Sequence, residues 1–150
     1  MASYLLDTNI LLRMSDSNSP VHLLASRASA KLVQQRHQVH ITSQNIIEFW
    51  AVATRPVTVN GLGWSHQQTR IEVEQLLSQF QLLQETPQIF TYWLDYVIAN
   101  NIIGKRVHDA RLVAVMLTHG ITHLLTFNTD DFAATEGIAI VHPQTVMESE

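Results

Sequence analysis

Short apolar runs alternate with longer helical stretches along this chain, and that alternation limits its fold more than any other feature. Tyr4-Leu5-Leu6, Val39-His40-Ile41-Thr42, Phe80-Gln81-Leu82-Leu83, His123-Leu124-Leu125-Thr126-Phe127 and Gly137-Ile138-Ala139-Ile140-Val141 are too brief for helices and read as strands. Between them, Ser19-Pro20 supplies an N-cap and N1 pair for a helix over residues 20–36, with Val21, Leu24, Ala25, Ala28 and Leu32 at helical spacing. Ser43 opens a helix through Ile46, Ile47, Phe49, Trp50 and Val52, which must end before Pro56. Ser65 with Gln68 forms a capping box for a helix bearing Ile71, Val73, Leu76 and Leu77. Thr86-Pro87 starts one with Phe90, Trp93, Leu94, Val97 and Ile98. The last runs from Asp109 through Leu112, Val113, Met116 and Leu117 to Gly120, a left-handed C-cap.

Strands that alternate with helices predict an α/β fold: a mainly parallel sheet covered by helices on both faces. The 150 residues suffice for one domain, 1–150, with a sizeable core, and they contain no repeat or linker that divides them. Residues 55–63, with Pro56 and Asn60-Gly61-Leu62-Gly63, are the expected long loop. An apolar share of 46% against 15% charged excludes a disordered chain. No apolar run approaches the ~18 residues that span a bilayer. Met1-Ala2-Ser3-Tyr4 lacks the features of a secretion signal, so the expected compartment is the cytoplasm.

The absence of cysteine excludes disulfides, thiol catalysis and thiolate-bound zinc. The eight histidines form no His-Glu-x-x-His motif, which disfavours zinc further. A net charge of -4 argues against a non-specific nucleic-acid coat protein. It leaves room for a nuclease, because an acidic site takes up a metal ion whose charge then meets the phosphate.

Acidic residues sit against apolar segments at several points: Asp7 in Leu5-Leu6-Asp7-Thr8-Asn9, Glu48 in Asn45-Ile46-Ile47-Glu48-Phe49-Trp50, Asp109 in His108-Asp109-Ala110-Arg111, and Asp131 in Thr126-Phe127-Asn128-Thr129-Asp130-Asp131-Phe132. A carboxylate there is costly unless compensated, and several that converge call for a hard divalent cation with oxygen ligands. Asp7 and the Asn128–Asp131 segment follow strands, where sites form in open parallel sheets.

Each acid also has an ordinary reading. Asp7 is placed to cap a helix, and Asp109 to complement a helix dipole by roughly 0.3–1 kcal/mol. Asn128 or Asp130 is suited to closing a turn. Glu48 lies mid-helix, too far from Ser43 for a capping box, and is harder to account for structurally.

Taken together these residues resemble a PIN domain, and within that family the VapC-type toxins of bacterial toxin–antitoxin pairs. The likeness runs from Leu5-Leu6-Asp7-Thr8-Asn9-Ile10-Leu11 to Leu125-Thr126-Phe127-Asn128-Thr129-Asp130-Asp131-Phe132, with the Glu48 helix and His108-Asp109-Ala110 between. It implies a three-layer α/β/α sandwich and endoribonuclease activity dependent on Mg²⁺ or Mn²⁺. It assigns the catalytic and metal-binding acids to Asp7, Glu48, Asp109 and Asp131, with Asn128 as an accessory ligand and Thr8, Asn9 and Thr126 supporting them. The fourth acid is Asp130 or Asp131. The loop over 55–63 is longer than a minimal domain of this kind requires.

The resemblance further implies a homodimer held inactive by a small antitoxin, and RNA as substrate. Arg13, Lys105 and Arg106 are candidates for its phosphates, with ordinary surface charge as the alternative. Trp64, beside the glycine-rich loop, is the tryptophan best placed to stack a base; packing suits Trp50 and Trp93 better. Two other readings stay open: an interaction module without catalysis, and a receiver-like phosphotransfer domain. The second lacks a suitably placed lysine, since Lys31 and Lys105 fall in a helix or loop.

Overall fold

The computed structural model describes residues 1–132, 135 and 137–150. Its strands are β1 (Ser3–Leu6), β2 (Gln38–Ile41), β3 (Gln81–Leu82), β4 (His123–Leu125) and β5 (Ala139–Val141). Its helices are α1 (Thr8–Ser15), α2 (His22–Gln34), α3 (Ser43–Thr54), α4 (His66–Gln79), α5 (Pro87–Ala99), α6 (Arg106–His119) and α7 (Pro143–Glu148). All strand pairs are parallel and the order is β3-β2-β1-β4-β5. The chain builds outward from β1 to β3, then returns to the other side of β1 with β4. That reversal between β1 and β4 opens a crevice at their carboxyl ends.

Alternate side chains of each strand enter opposite cores. Tyr4, Leu6, Val39, Ile41 and Leu125 pack with Ile10, Leu11, Leu32, Phe49, Val73 and Val146, beneath α1–α4 and α7. Leu5 and Leu124 point the other way, toward Ile89 of α5 and Leu112, Val113 and Met116 of α6. The central strands β1 and β4 are therefore buried on both faces, which is why Tyr4-Leu5-Leu6 and Leu124-Leu125 are apolar without polar alternation. Five consecutive residues of α6, Leu112 to Met116, are buried.

Some boundaries differ from the sequence expectation for local reasons. Thr42, not Ser43, caps α3, and its box is completed by Asn45, whose Oδ1 accepts from the Thr42 backbone at 3.0 Å. Ser65 caps α4 by accepting from the Gln68 backbone, but among the described residues the Gln68 side chain returns no bond to Ser65. Helix α6 starts at Arg106, three residues before Asp109, which lies in its first turn as the dipole reading expects. Gly120 adopts the expected left-handed cap, with φ 68°. Helix α7 was not anticipated; His142 accepts from the Gln144 backbone and Pro143 stands at its first position.

The 55–63 loop contains a short 3-10 turn, Val57–Val59, and doubles back on α3. Leu62, Gly63 and Trp64 donate backbone bonds to the carbonyls of Val52, Arg55 and Ala53. Gly61 approaches so closely that a Cβ there would lie 1.8 Å from the Arg55 carbonyl oxygen. Trp64 turns inward and meets the Phe49 ring edge-on at 6.2 Å, so it serves packing and not base stacking.

Candidate active site

Asp7 follows β1 directly and caps α1. Its Oδ1 accepts the Thr8 backbone N–H at 2.8 Å, and its Oδ2 accepts the Thr126 hydroxyl at 2.8 Å. Thr126 follows β4, so this bond closes the crevice at the sheet reversal; the Asp7 backbone reaches the Leu125 carbonyl at 2.9 Å. Asn9 braces the same corner: its Nδ2 donates to Thr126 Oγ1 at 3.1 Å and its Oδ1 accepts from the Phe127 backbone at 3.2 Å. Capping and siting are thus both served by Asp7.

Glu48 reaches the site from α3. The Thr8 hydroxyl donates to Glu48 Oε1 at 2.7 Å, and that hydroxyl accepts from Asn45 Nδ2 at 3.0 Å. Gln44 Nε2 donates to Glu48 Oε2 at 3.2 Å and to the His108 carbonyl at 2.8 Å. Asp109, next to that carbonyl, shares a small cavity of about 20 Å³ with Asp131 and Arg106. Asp131 closes a 3-10 turn, Thr129–Asp131, that begins after Asn128. A larger hollow of about 450 Å³ is lined by Gln44, Ile47, Glu48, Glu85, His108 and Arg111.

The electrostatics record this convergence. Asp7 is raised from 3.8 to about 6, chiefly by burial, against the lowering effect of Thr126 and Thr8 and with added repulsion from Glu48 and Asp131. Asp109 is raised from 3.8 to about 6 by burial first, then by the charges of Asp7, Asp131 and Glu48, with His108 opposing. Residues from four separate segments therefore sense one another. From the Asp130-Asp131 pair, it is the Asp131 charge that acts on both.

Other expected contributors are more dispersed. Asn128 is exposed, and its backbone N–H donates to Thr126 Oγ1 at 3.0 Å. Lys105 and Arg106 are exposed at the start of α6, and Arg106 lines the small cavity with Asp109. Arg13 stands in the last turn of α1, at the end of that helix away from Asp7, where it complements the helix dipole. Gln44 and Arg111 were missed as site residues by the sequence reading, since neither carries a motif and both act through contacts between distant segments.

The donor set is oxygen-only, which suits a hard divalent ion. The mutual repulsion of its carboxylates is the condition such an ion relieves. Among the described residues, however, no three acidic or histidine side chains stand close enough to chelate one without movement. Thr8 and Gln44 each hold one oxygen of Glu48 and leave its other lone pairs open, so the carboxylate is oriented without being used up.

The PIN domain family profile matches residues 4–138. The chain belongs to the PIN domain family. No curated protein matches it significantly. Solved structures with the same fold include VapBC2 from Rickettsia felis bound to a promoter DNA fragment, 15% identical, with a TM-score of 0.68 over 93% of this chain and 98% of that one. A toxin–antitoxin complex from Klebsiella pneumoniae is 25% identical, with a TM-score of 0.63 over 93% and 97%. VapC20 of Mycobacterium tuberculosis, described as a sarcin-ricin loop cleaving toxin, is 17% identical, with a TM-score of 0.62 over 81% and 86%. This PIN domain thus has the VapC-like toxin–antitoxin fold, which removes the receiver-like alternative.

Proposed function

We propose that this PIN domain is a metal-dependent endoribonuclease and the toxin of a type II toxin–antitoxin pair. The observation that carries the reading is the convergence of Asp7, Glu48, Asp109 and Asp131 at the carboxyl ends of β1 and β4, where Asp7 and Asp109 are pushed to about 6. Four carboxylates gathered by the fold at a sheet reversal serve no packing purpose, and their repulsion opposes folding.

Asp7 and Asp109 would hold a Mg²⁺ or Mn²⁺ ion, with Asp131 and Glu48 completing the set and Asn128 as an accessory ligand. When bound, such an ion supplies positive charge to a phosphate and activates water. Thr126 and the Thr8 backbone keep Asp7 oriented. Thr8 holds one oxygen of Glu48, leaving the carboxylate aligned to accept a proton from an attacking water. Attack by water without the 2′-hydroxyl leaves a 5′-phosphate and a 3′-hydroxyl. Lys105 and Arg106, at the start of the helix that carries Asp109, are suited to the substrate backbone, and Arg13, at the far end of α1, to a phosphate farther along the strand.

Partners follow the same reading. Phe90, Leu94 and Ile98 are exposed at helical spacing along α5 and suit a second copy of this chain. A groove of about 540 Å³ between α1, α2 and α4, walled by Met14, Val33, Leu76 and Phe80, is open to an antitoxin segment. Among the described residues no helix is long and apolar enough to cross a membrane; cytoplasmic residence is part of the proposal.

The test is incubation of the purified protein with RNA and Mn²⁺, with and without EDTA, and analysis of the product ends. Cleavage that needs the ion and leaves 5′-phosphates supports the reading. No cleavage by the wild type, with no ion bound, favours the interaction module.

A further inference from the structure

A chain of polar contacts runs from Glu85 to Glu48 through residues that carry no family motif. Arg111 Nη2 bonds Glu85 Oε1 at 3.0 Å, and Arg111 Nη1 donates to Gln44 Oε1 at 3.2 Å. Ser43 also donates to Glu85 Oε1, at 2.7 Å. Gln44 then divides its amide donors between Glu48 Oε2 and the His108 carbonyl.

The orientation of that amide is dictated by its neighbours. Arg111 offers only donors, so it must face the oxygen of Gln44. Glu48 and the His108 carbonyl offer only acceptors, so they must face the nitrogen. A flipped amide would set oxygen against both acceptors and nitrogen against the guanidinium. Arg111 cannot swing away without abandoning Glu85. Gln44 thereby ties the segment that carries Glu48 to the first turn of α6, one residue from Asp109.

We propose that Gln44 is a positioning residue that sets the spacing between Glu48 and Asp109, with its amide locked by Arg111 and, through it, by Glu85. The proposal rests on the nuclease reading and deepens it. Gln44 lies on α3 one turn before Glu48, and its contact with α6 makes the separation of two carboxylates depend on one side chain. Groups that orient a metal ligand in this way typically change affinity or activity by about 10–100-fold when removed.

The experiment measures Mn²⁺ affinity by calorimetry, and kcat and KM on RNA, for the full chain with Gln44→Ala, Gln44→Glu, Arg111→Met and the Gln44→Ala/Arg111→Met pair. Gln44→Ala and Arg111→Met are each expected to weaken Mn²⁺ binding and lower kcat by about 10–100-fold with KM unchanged. Because both act through one amide, the double variant is expected to be no worse than either single one. Gln44→Glu keeps the size of the side chain and guards against misfolding. Its carboxyl needs a proton to donate to Glu48, so its kcat relative to wild type should rise as pH is lowered. Wild-type Mn²⁺ affinity and kcat in Gln44→Ala would overturn the proposal, as would fully additive losses in the double variant. A wild-type protein that neither binds Mn²⁺ nor cuts RNA would remove the nuclease reading and this one together, and that result is recognisable because it does not involve the variants.

Discussion

Thr8 donates its hydroxyl to Glu48 Oε1 at 2.7 Å, joining the first turn of α1 to a carboxylate forty residues later in the chain. The Thr8 hydroxyl oxygen in turn accepts from Asn45 Nδ2 at 3.0 Å, and Asn45 is completely buried. Thr8→Val keeps the shape but removes both bonds and leaves a buried amide donor unpaired. A loss of about 1–2 kcal/mol is expected by urea unfolding, with Thr8→Ser close to wild type. A neutral Thr8→Val would show that the hydroxyl holds nothing in place.

Asp7 makes stability depend on pH in a defined direction. Its folded pKa, about 6, exceeds the unfolded 3.8, so the folded chain binds the extra proton between these values. Its contribution is full below 3.8 and is lost as pH rises through about 6, a penalty of about 3 kcal/mol at most at neutral pH. In EDTA, Asp7→Asn should therefore melt at least as high as wild type at pH 7.5, with the advantage shrinking toward pH 4.5. Melting curves in which the advantage grows as pH falls would contradict this account.

His40 is a second titrating element, with the opposite sign. It is buried in β2, neither ring nitrogen has a partner among the described residues, and its pKa is lowered from 6.5 by burial and by the nearby His119. The unfolded chain takes up the proton first, so this contribution to stability is lost as pH falls below 6.5. Since unpaired buried polar atoms cost roughly 1–3 kcal/mol, His40→Phe should equal or exceed wild-type stability at pH 7.5. Its advantage should widen at pH 5.5, measured by denaturant midpoints.

Gly61 is required for a reason of space. Its backbone donates to Pro56 O at 3.0 Å, and a Cβ would fall 1.8 Å from the Arg55 carbonyl. Gly61→Ala must push the 55–63 loop off α3, at an expected cost of about 1–3 kcal/mol in thermal unfolding. An unchanged melting temperature would mean that the loop does not pack as described.

The parts of this fold that were readable in sequence are those encoded locally. Tyr4-Leu5-Leu6, Leu124-Leu125 and the Gly120 stop carry their signals within a few residues, and so do the acids set against them. Asp109 was placed correctly near a helix start, but the helix begins earlier because Arg106 and Val107 already form its first turn. Helix α7 escaped notice because its six residues give too little periodicity, although His142-Pro143 is a fair start signal. What the sequence could not disclose is pairing. The meeting of Thr126 with Asp7, of Thr8 with Glu48, and of Gln44 with Arg111 depends on strand order and helix docking. Trp64 shows the same limit: its glycine-rich neighbourhood suggested exposure, yet the loop folds it against Phe49.

The most direct measurement is a calorimetric titration of the wild-type protein, Asp7→Asn and Asp109→Asn with Mn²⁺ at pH 7.5. Saturable binding by the wild type is expected, severely weakened in both variants while their circular dichroism stays native. Absence of binding by the wild type, or equal affinity in all three proteins, would contradict the claim that these distant carboxylates form one cation site.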